Sequence, residues 1–170
     1  MRIDAYPKPG LGLALLLSAS LLLVACATSP VATDGEEIAP VGPAHVLEDQ
    51  SLVGELVVWG GRIVEVENRA DRTLLVVASL PLDRADRPRL HYEPGVRFIA
   101  EQPGYLEPLT FAPGRFVTIL GTVSGTRIRA VGDYDYLHPT MDIEKLHLWP
   151  SDPMMWSPHW RWNFGIGIRL

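Results

Sequence analysis

Five histidines, two alternating pairs of carboxylates, one cysteine and a scatter of aromatic side chains are what this 170-residue chain offers for chemistry. His45, His91, His138, His147 and His159 show none of the close spacing, two ligands three to five residues apart, that a zinc site draws on. They read as ordinary surface and core residues, and no metal is expected. Glu65 with Glu67, and Asp133 with Asp135, stand at i and i+2. Paired carboxylates cleave glycosidic bonds or hold cations, but on a strand the same spacing is the solvent side of an alternating pattern. Tyr134 and Tyr136 alternate with the two aspartates, which favours the second reading. Ser124 lies in a Ser-Gly turn rather than a nucleophile elbow, and neither a phosphate-cradling glycine loop nor a dinucleotide fingerprint occurs. No catalytic residue and no cofactor is therefore assigned, and an enzyme is not expected. Trp59, Tyr105, Tyr134 and Tyr136 could form an aromatic platform on which sugars or bases stack, with Trp59, Tyr134 and Tyr136 as the candidate ligand face. Aromatics of a small β domain also serve as core or lid.

The elements that would carry these groups are strands. Composition is that of a globular chain, 47% hydrophobic and 21% charged, and fifteen glycines with fifteen prolines favour short strands and turns over long helices. Residues 52–68, LVGELVVWGGRIVEVEN, end in the period-2 alternation of a half-buried strand, and Gly60-Gly61 suggests a bulge or bend. TLLVVASL at 73–80 is rich in branched residues and reads as a strand buried on both sides. EPGVRF and APGRF, beginning at Glu93 and Ala112, introduce a third and a fourth strand with the same Pro-Gly turn chemistry. The two prolines in AEQPGYLEPLTF limit regular structure between them. FVTILGTV places Val117, Ile119 and Val123 on one face, Ser124-Gly125 reads as a hairpin turn, and TRIRAV returns from it. In MDIEKLHLW, Met141 and Ile143 have one parity and Leu146 and Leu148 the other, so a bulge is expected near Glu144-Lys145. The predicted fold is all-β, a small closed barrel of five to six strands resembling the oligonucleotide/oligosaccharide-binding (OB) type.

The N-terminus follows different rules. Arg2 and Lys8 precede LGLALLLSASLLLVA, residues 11–25, which carry no charge. A spanning helix needs about 20 apolar residues, whereas an export signal uses an apolar stretch of this length. A core helix would need a polar face, and none is present. The run stops on Cys26, and Leu23-Val24-Ala25-Cys26 resembles the bacterial lipobox. By that resemblance the chain is cut between Ala25 and Cys26, the thiol receives a diacylglyceryl group and the new amino terminus is acylated. A free thiol or an intermolecular disulfide is the rival reading. One acyl chain alone gives only marginal binding, whereas three would hold the chain on a bilayer without a spanning segment. In the lipoproteins this segment resembles, Asp after the cysteine retains the product in the inner membrane. Ala27 in that place points to the outer one.

The expected organisation is a signal peptide at 1–25, a lipidated flexible tether at 26–44, a β-barrel domain at 45–150 and an aromatic extension at 151–170. The tether is rich in Pro, Gly and Ala and lacks aromatics. The extension carries three of the five tryptophans and suits either an interfacial anchor or a flap over an exposed sheet edge. Removing residues 1–25 takes away Arg2, Lys8 and Asp4 and moves the formal net charge from −5 to −6. So acidic a chain gives no electrostatic reason to bind nucleic acid.

VVWGGRIVEVEN, TLLVVASLPLDRADRP, RFIAEQPGYLEP, FAPGRFVTILGTVSGT and GDYDYLHPTMDIEKLHLWP follow one another as in the Slp family, the starvation-inducible outer-membrane lipoproteins of Gram-negative bacteria, which this chain resembles over residues 46–150 and at the lipobox. The resemblance implies an outer-membrane lipoprotein associated with stationary phase or stress. It carries over no catalytic residue. Two functional readings follow: a non-enzymatic lipoprotein acting through envelope or protein contacts, and a binding module with a glycan or small-ligand face on the barrel.

Overall fold

Alternation in β1 and branched residues in β2 set the first hairpin. β1 (Leu56–Asn68) and β2 (Arg72–Ser79) pair antiparallel, from Gly61 opposite Ser79 to Asn68 opposite Thr73. The computed structural model describes residues 29–31 and 35–156. β3 (Arg97–Pro103) pairs antiparallel with β2, and β4 (Phe116–Val131) pairs antiparallel with β5 (Tyr134–Leu148). β5 also runs parallel to β3 at Ile99–Thr140, Ala100–Met141 and Glu101–Asp142. Pairing of Leu56 through Arg62 with Thr122 through Phe116 joins β4 back to β1, so the sheet closes in the order β1-β2-β3-β5-β4. The all-β expectation holds, with five strands in one sheet.

Inward-facing residues repeat at the period of two. Val57, Trp59 and Ile63 of β1 meet Leu75 and Val77 of β2, Phe98 of β3, Val117, Ile119 and Val123 of β4 and Met141 of β5. Val46 of α1 (Pro43–Glu48) is fully buried with them and closes the end at which β1 begins. Burying each such aliphatic or aromatic side chain contributes about 1.5–3 kcal/mol.

The bulges differ in part from the sequence reading. The β1–β2 register shifts between Ile63 and Glu65, so Val64 is the bulged residue and Gly60-Gly61 is not. The two glycines instead admit close backbone approach. The expected shift in β5 is present: Leu120 faces Lys145 and Gly121 faces Ile143, which leaves Glu144 unopposed. Ile143, Leu146 and Leu148 consequently all pack against the core. Ser124-Gly125 is no hairpin turn. It is a second bulge, with the Ser124 hydroxyl bonded to that of Thr140 at 2.9 Å, and the strand runs on to Val131. The turn lies at Gly132-Asp133, where Gly132 supplies φ +63° in a two-residue hairpin loop. β3 likewise continues through Pro103, with Gln102 and Pro103 paired to Thr73 and Arg72.

Beyond the barrel, residues 125–140 form a two-stranded arm. Arg129 on the arm meets Glu65 at 2.5 Å and Glu67 at 3.1 Å on β1, and Arg127 meets Glu101 on β3 at 2.5 Å. β2 lies between β1 and β3, so these ion pairs pin the arm over its outer face. Leu74, Val76 and Ile99 are at most 3% exposed there, which accounts for a second strand buried on both sides.

The tether is shorter than its composition suggests. Ala39 N–H donates to the Leu56 carbonyl at 2.8 Å, the Val41 carbonyl accepts from the Trp59 indole at 2.7 Å, and α1 begins at Pro43. Residues 39–44 therefore belong to the barrel, because Ala39 and Val41 bury apolar surface against its core. At the C-terminal side, Pro153–Trp156 forms a 3-10 turn, and the Trp156 ring packs on Phe116 and Trp149 with centroids 5.2 and 5.3 Å away. Arg87 holds the Trp156 carbonyl at 3.1 Å. This first part of the aromatic extension folds back on the barrel. Residues 157–170 lie outside the described residues.

Candidate functional site

The three aromatics of the candidate ligand face do not share a surface. Trp59 points inward and is 2% exposed, edge-on to Phe98 at 5.2 Å. Tyr134 and Tyr136 stand on the arm, 71% and 53% exposed, with ring centroids 6.4 Å apart. Trp59 shares its parity with Val57 and Ile63, and in β1 that is the core side. Tyr105 stands apart in the β3–β4 loop with its hydroxyl on Glu107.

The other chemical groups have structural partners. Glu65 and Glu67 are ion-paired to the arm, and Asp133 occupies the hairpin turn. His45 accepts the Gly42 N–H at 3.0 Å at the start of α1, His91 lies against Tyr92, and His147 against Trp149. Among the described residues no group of three His, Cys, Asp or Glu side chains is placed to hold a metal ion. His159 and Cys26, the expected lipid-attachment residue, with Ala25 before it, lie outside the described residues.

Several acids are held ionised. Burial pushes the Asp83 carboxyl up, but the N–H groups of Arg87 and Ala85 and the Arg87 guanidinium outweigh it and set it below the usual range. The hydrogen bond from Arg69, reinforced by the charges of Arg69, Arg129 and Arg127, does the same for Glu67 against an opposing burial effect. Burial also lowers the His147 pKa. In each case the folded protein binds fewer protons than the unfolded chain, so the stabilisation is full above the unfolded pKa and is lost as pH falls through the folded one. Melting temperature should therefore begin to fall below about pH 6.5 through His147, and steeply below about pH 4 through the carboxylates. Melts of Asp83→Asn should show a shallower acid limb, and an unchanged limb would exclude Asp83 as a contributor.

A feature the sequence reading did not assemble is a cleft of about 490 Å³ between the start of β3 and the arm. Its walls include Leu47 of α1, Val96 and Arg97 before and in β3, and Val131, Tyr136 and His138 of the arm. His138 is 2% exposed. Its Nδ1 donates to the Tyr136 carbonyl at 2.9 Å. A signal was available for the docking of the arm, though not for the cleft: TRIRAV on β4 is complementary in charge to VEVE on β1.

A family model described as the outer membrane lipoprotein Slp family matches residues 23–165. The chain is 29% identical over 157 residues to the outer membrane protein Slp of Escherichia coli, covering 91% of this chain and 83% of that protein. It is 31% identical over 132 residues to the uncharacterized lipoprotein YeaY of the same organism, covering 76% and 68%. An uncharacterized protein of Haemophilus influenzae is 28% identical over 114 residues, covering 62% and 61%. No solved structure gives a significant match.

Proposed function

The chain belongs to the outer membrane lipoprotein Slp family, and on that premise we propose a non-enzymatic, lipid-anchored component of the Gram-negative outer membrane. Its role is in the envelope under starvation or stress, exercised through contact with another envelope protein. The observation that carries this reading is that the family match begins at Leu23, so LVAC, residues 23–26, lies inside it. In this reading the signal at 1–25 is removed, and Cys26 bears the diacylglyceryl and amide-linked acyl chains. Val31 is 1% exposed and the Ala39 N–H donates to the Leu56 carbonyl, so the packed part of the chain includes residues well before the first strand. The strand order, with a parallel β3–β5 closure, supports an OB-like barrel.

The aromatic platform loses its support, since Trp59 belongs to the core. The anchor is tested by expressing the full chain and Cys26→Ala in a Gram-negative host, fractionating the membranes and weighing the N-terminal peptide. The expected result is outer-membrane recovery with a triacylated Cys26, abolished in the variant. A soluble product with an unmodified thiol overturns it.

A further inference from the structure

We infer that the cleft between β3 and the arm receives an extended acidic peptide segment of a partner protein, added as a strand between β3 and β5. This deepens the proposed protein contact and rests on it. Three observations converge. The first is an interrupted ladder: β3 and β5 pair only from Ile99–Thr140 to Glu101–Asp142. Before that point Arg97 and Phe98 pair with β2 alone, and residues 134–139 pair with β4 alone. The two strands splay and leave facing edges with no strand between them, the arrangement that accepts an added strand.

The second is the lining. Leu47, Val96, Val131 and Tyr136 give the cleft apolar walls for alternate side chains, and the buried His138 adds a polar group to its lining. The volume of about 490 Å³ accommodates a few residues of extended chain rather than a folded surface.

The third is charge. Arg72, Arg127 and Arg129 each meet a carboxylate, whereas Arg97 at the cleft wall meets none among the described residues. On the arm, Arg127 stands opposite His138 and Arg129 opposite Tyr136. Each of these two arginines keeps a buried Nη1 with no hydrogen-bond partner. Buried donors are rarely left unpaired, and an acidic strand would bring Arg97 the carboxylate it lacks.

The full-length lipoprotein in detergent micelles would be panned against phage-displayed random dodecapeptides. Enriched peptides should alternate apolar with Asp or Glu. Their affinity should fall about tenfold on Arg97→Gln and further on Arg97→Glu, and panning on Arg97→Glu should select basic residues instead. Arg97 is partly exposed, so both variants should melt with the parent. No enrichment, or peptides indifferent to Arg97, overturns the inference. So does displacement of the peptides by a neutral glycan with no loss on Arg97→Gln. In cells, a photo-crosslinker at Tyr136 should capture the partner through an acidic segment, with Arg97→Glu abolishing capture. Crosslinks from Leu109, an exposed residue of the β3–β4 loop, but not from Tyr136 overturn the cleft and leave the protein contact standing. Crosslinks from no scanned position overturn the contact itself.

Discussion

Trp59→Ala should destabilise the barrel by about 3–5 kcal/mol, the range for removing a buried tryptophan. That corresponds to a fall of roughly 10–20 °C in melting temperature. The indole is 2% exposed, packs edge-on against Phe98 and donates a 2.7 Å hydrogen bond to the Val41 carbonyl. It therefore does two jobs, filling the core and holding the N-terminal segment on the barrel. Trp59→Phe separates them, because it keeps most of the apolar volume and deletes the donor. Its expected cost is about 1 kcal/mol, with faster proteolysis within residues 38–44 as the sign that the segment has come loose. A tryptophan on an open ligand face would behave differently, since surface substitutions usually lie within about 0.5 kcal/mol of neutral. A small effect of Trp59→Ala would thus restore the aromatic platform and undo the core assignment.

Local features of the sequence were legible where local physics decides them. The parity switch across Glu144 reports the β5 bulge, because only a shift of one residue lets Ile143 and Leu146 both face the core. The resemblance of Leu23–Cys26 to a lipobox rests on four consecutive residues and needs no fold to be drawn. Ser124-Gly125 was ambiguous, since a small polar residue followed by glycine serves a hairpin turn and a bulge alike. The choice between them depends on whether residues 126–131 find cover, and that cover comes from Glu65, Glu67 and Glu101 on other strands. The cleft was illegible for the same reason. Its walls come from α1, the start of β3 and the arm, brought together only when β5 pairs in parallel with β3.

Gly61→Ala should cost about 3 kcal/mol or more, at or above the upper end for overpacking. A Cβ at this position would lie 2.0 Å from the Ala78 carbonyl oxygen, 2.8 Å from its carbon and 3.0 Å from the Ser79 Cα. All three are backbone atoms of β2, so no side-chain rotation relieves the clash. The position matters for the whole sheet. β1 pairs with β4 from Leu56 to Arg62 and with β2 from Gly61 onward, so Gly61 and Arg62 are where it holds both neighbours. Pushing β2 away there opens the barrel at the strand that closes it. Gly114→Ala provides the contrast, with φ +92° but nothing within 4 Å of the added carbon. Its cost is torsional, about 1–2 kcal/mol. Urea unfolding of the two variants should rank Gly61→Ala well above Gly114→Ala. The reverse order would mean that β2 yields freely at Ala78, and that the pairing of Gly61 with Ser79 does not hold the barrel shut.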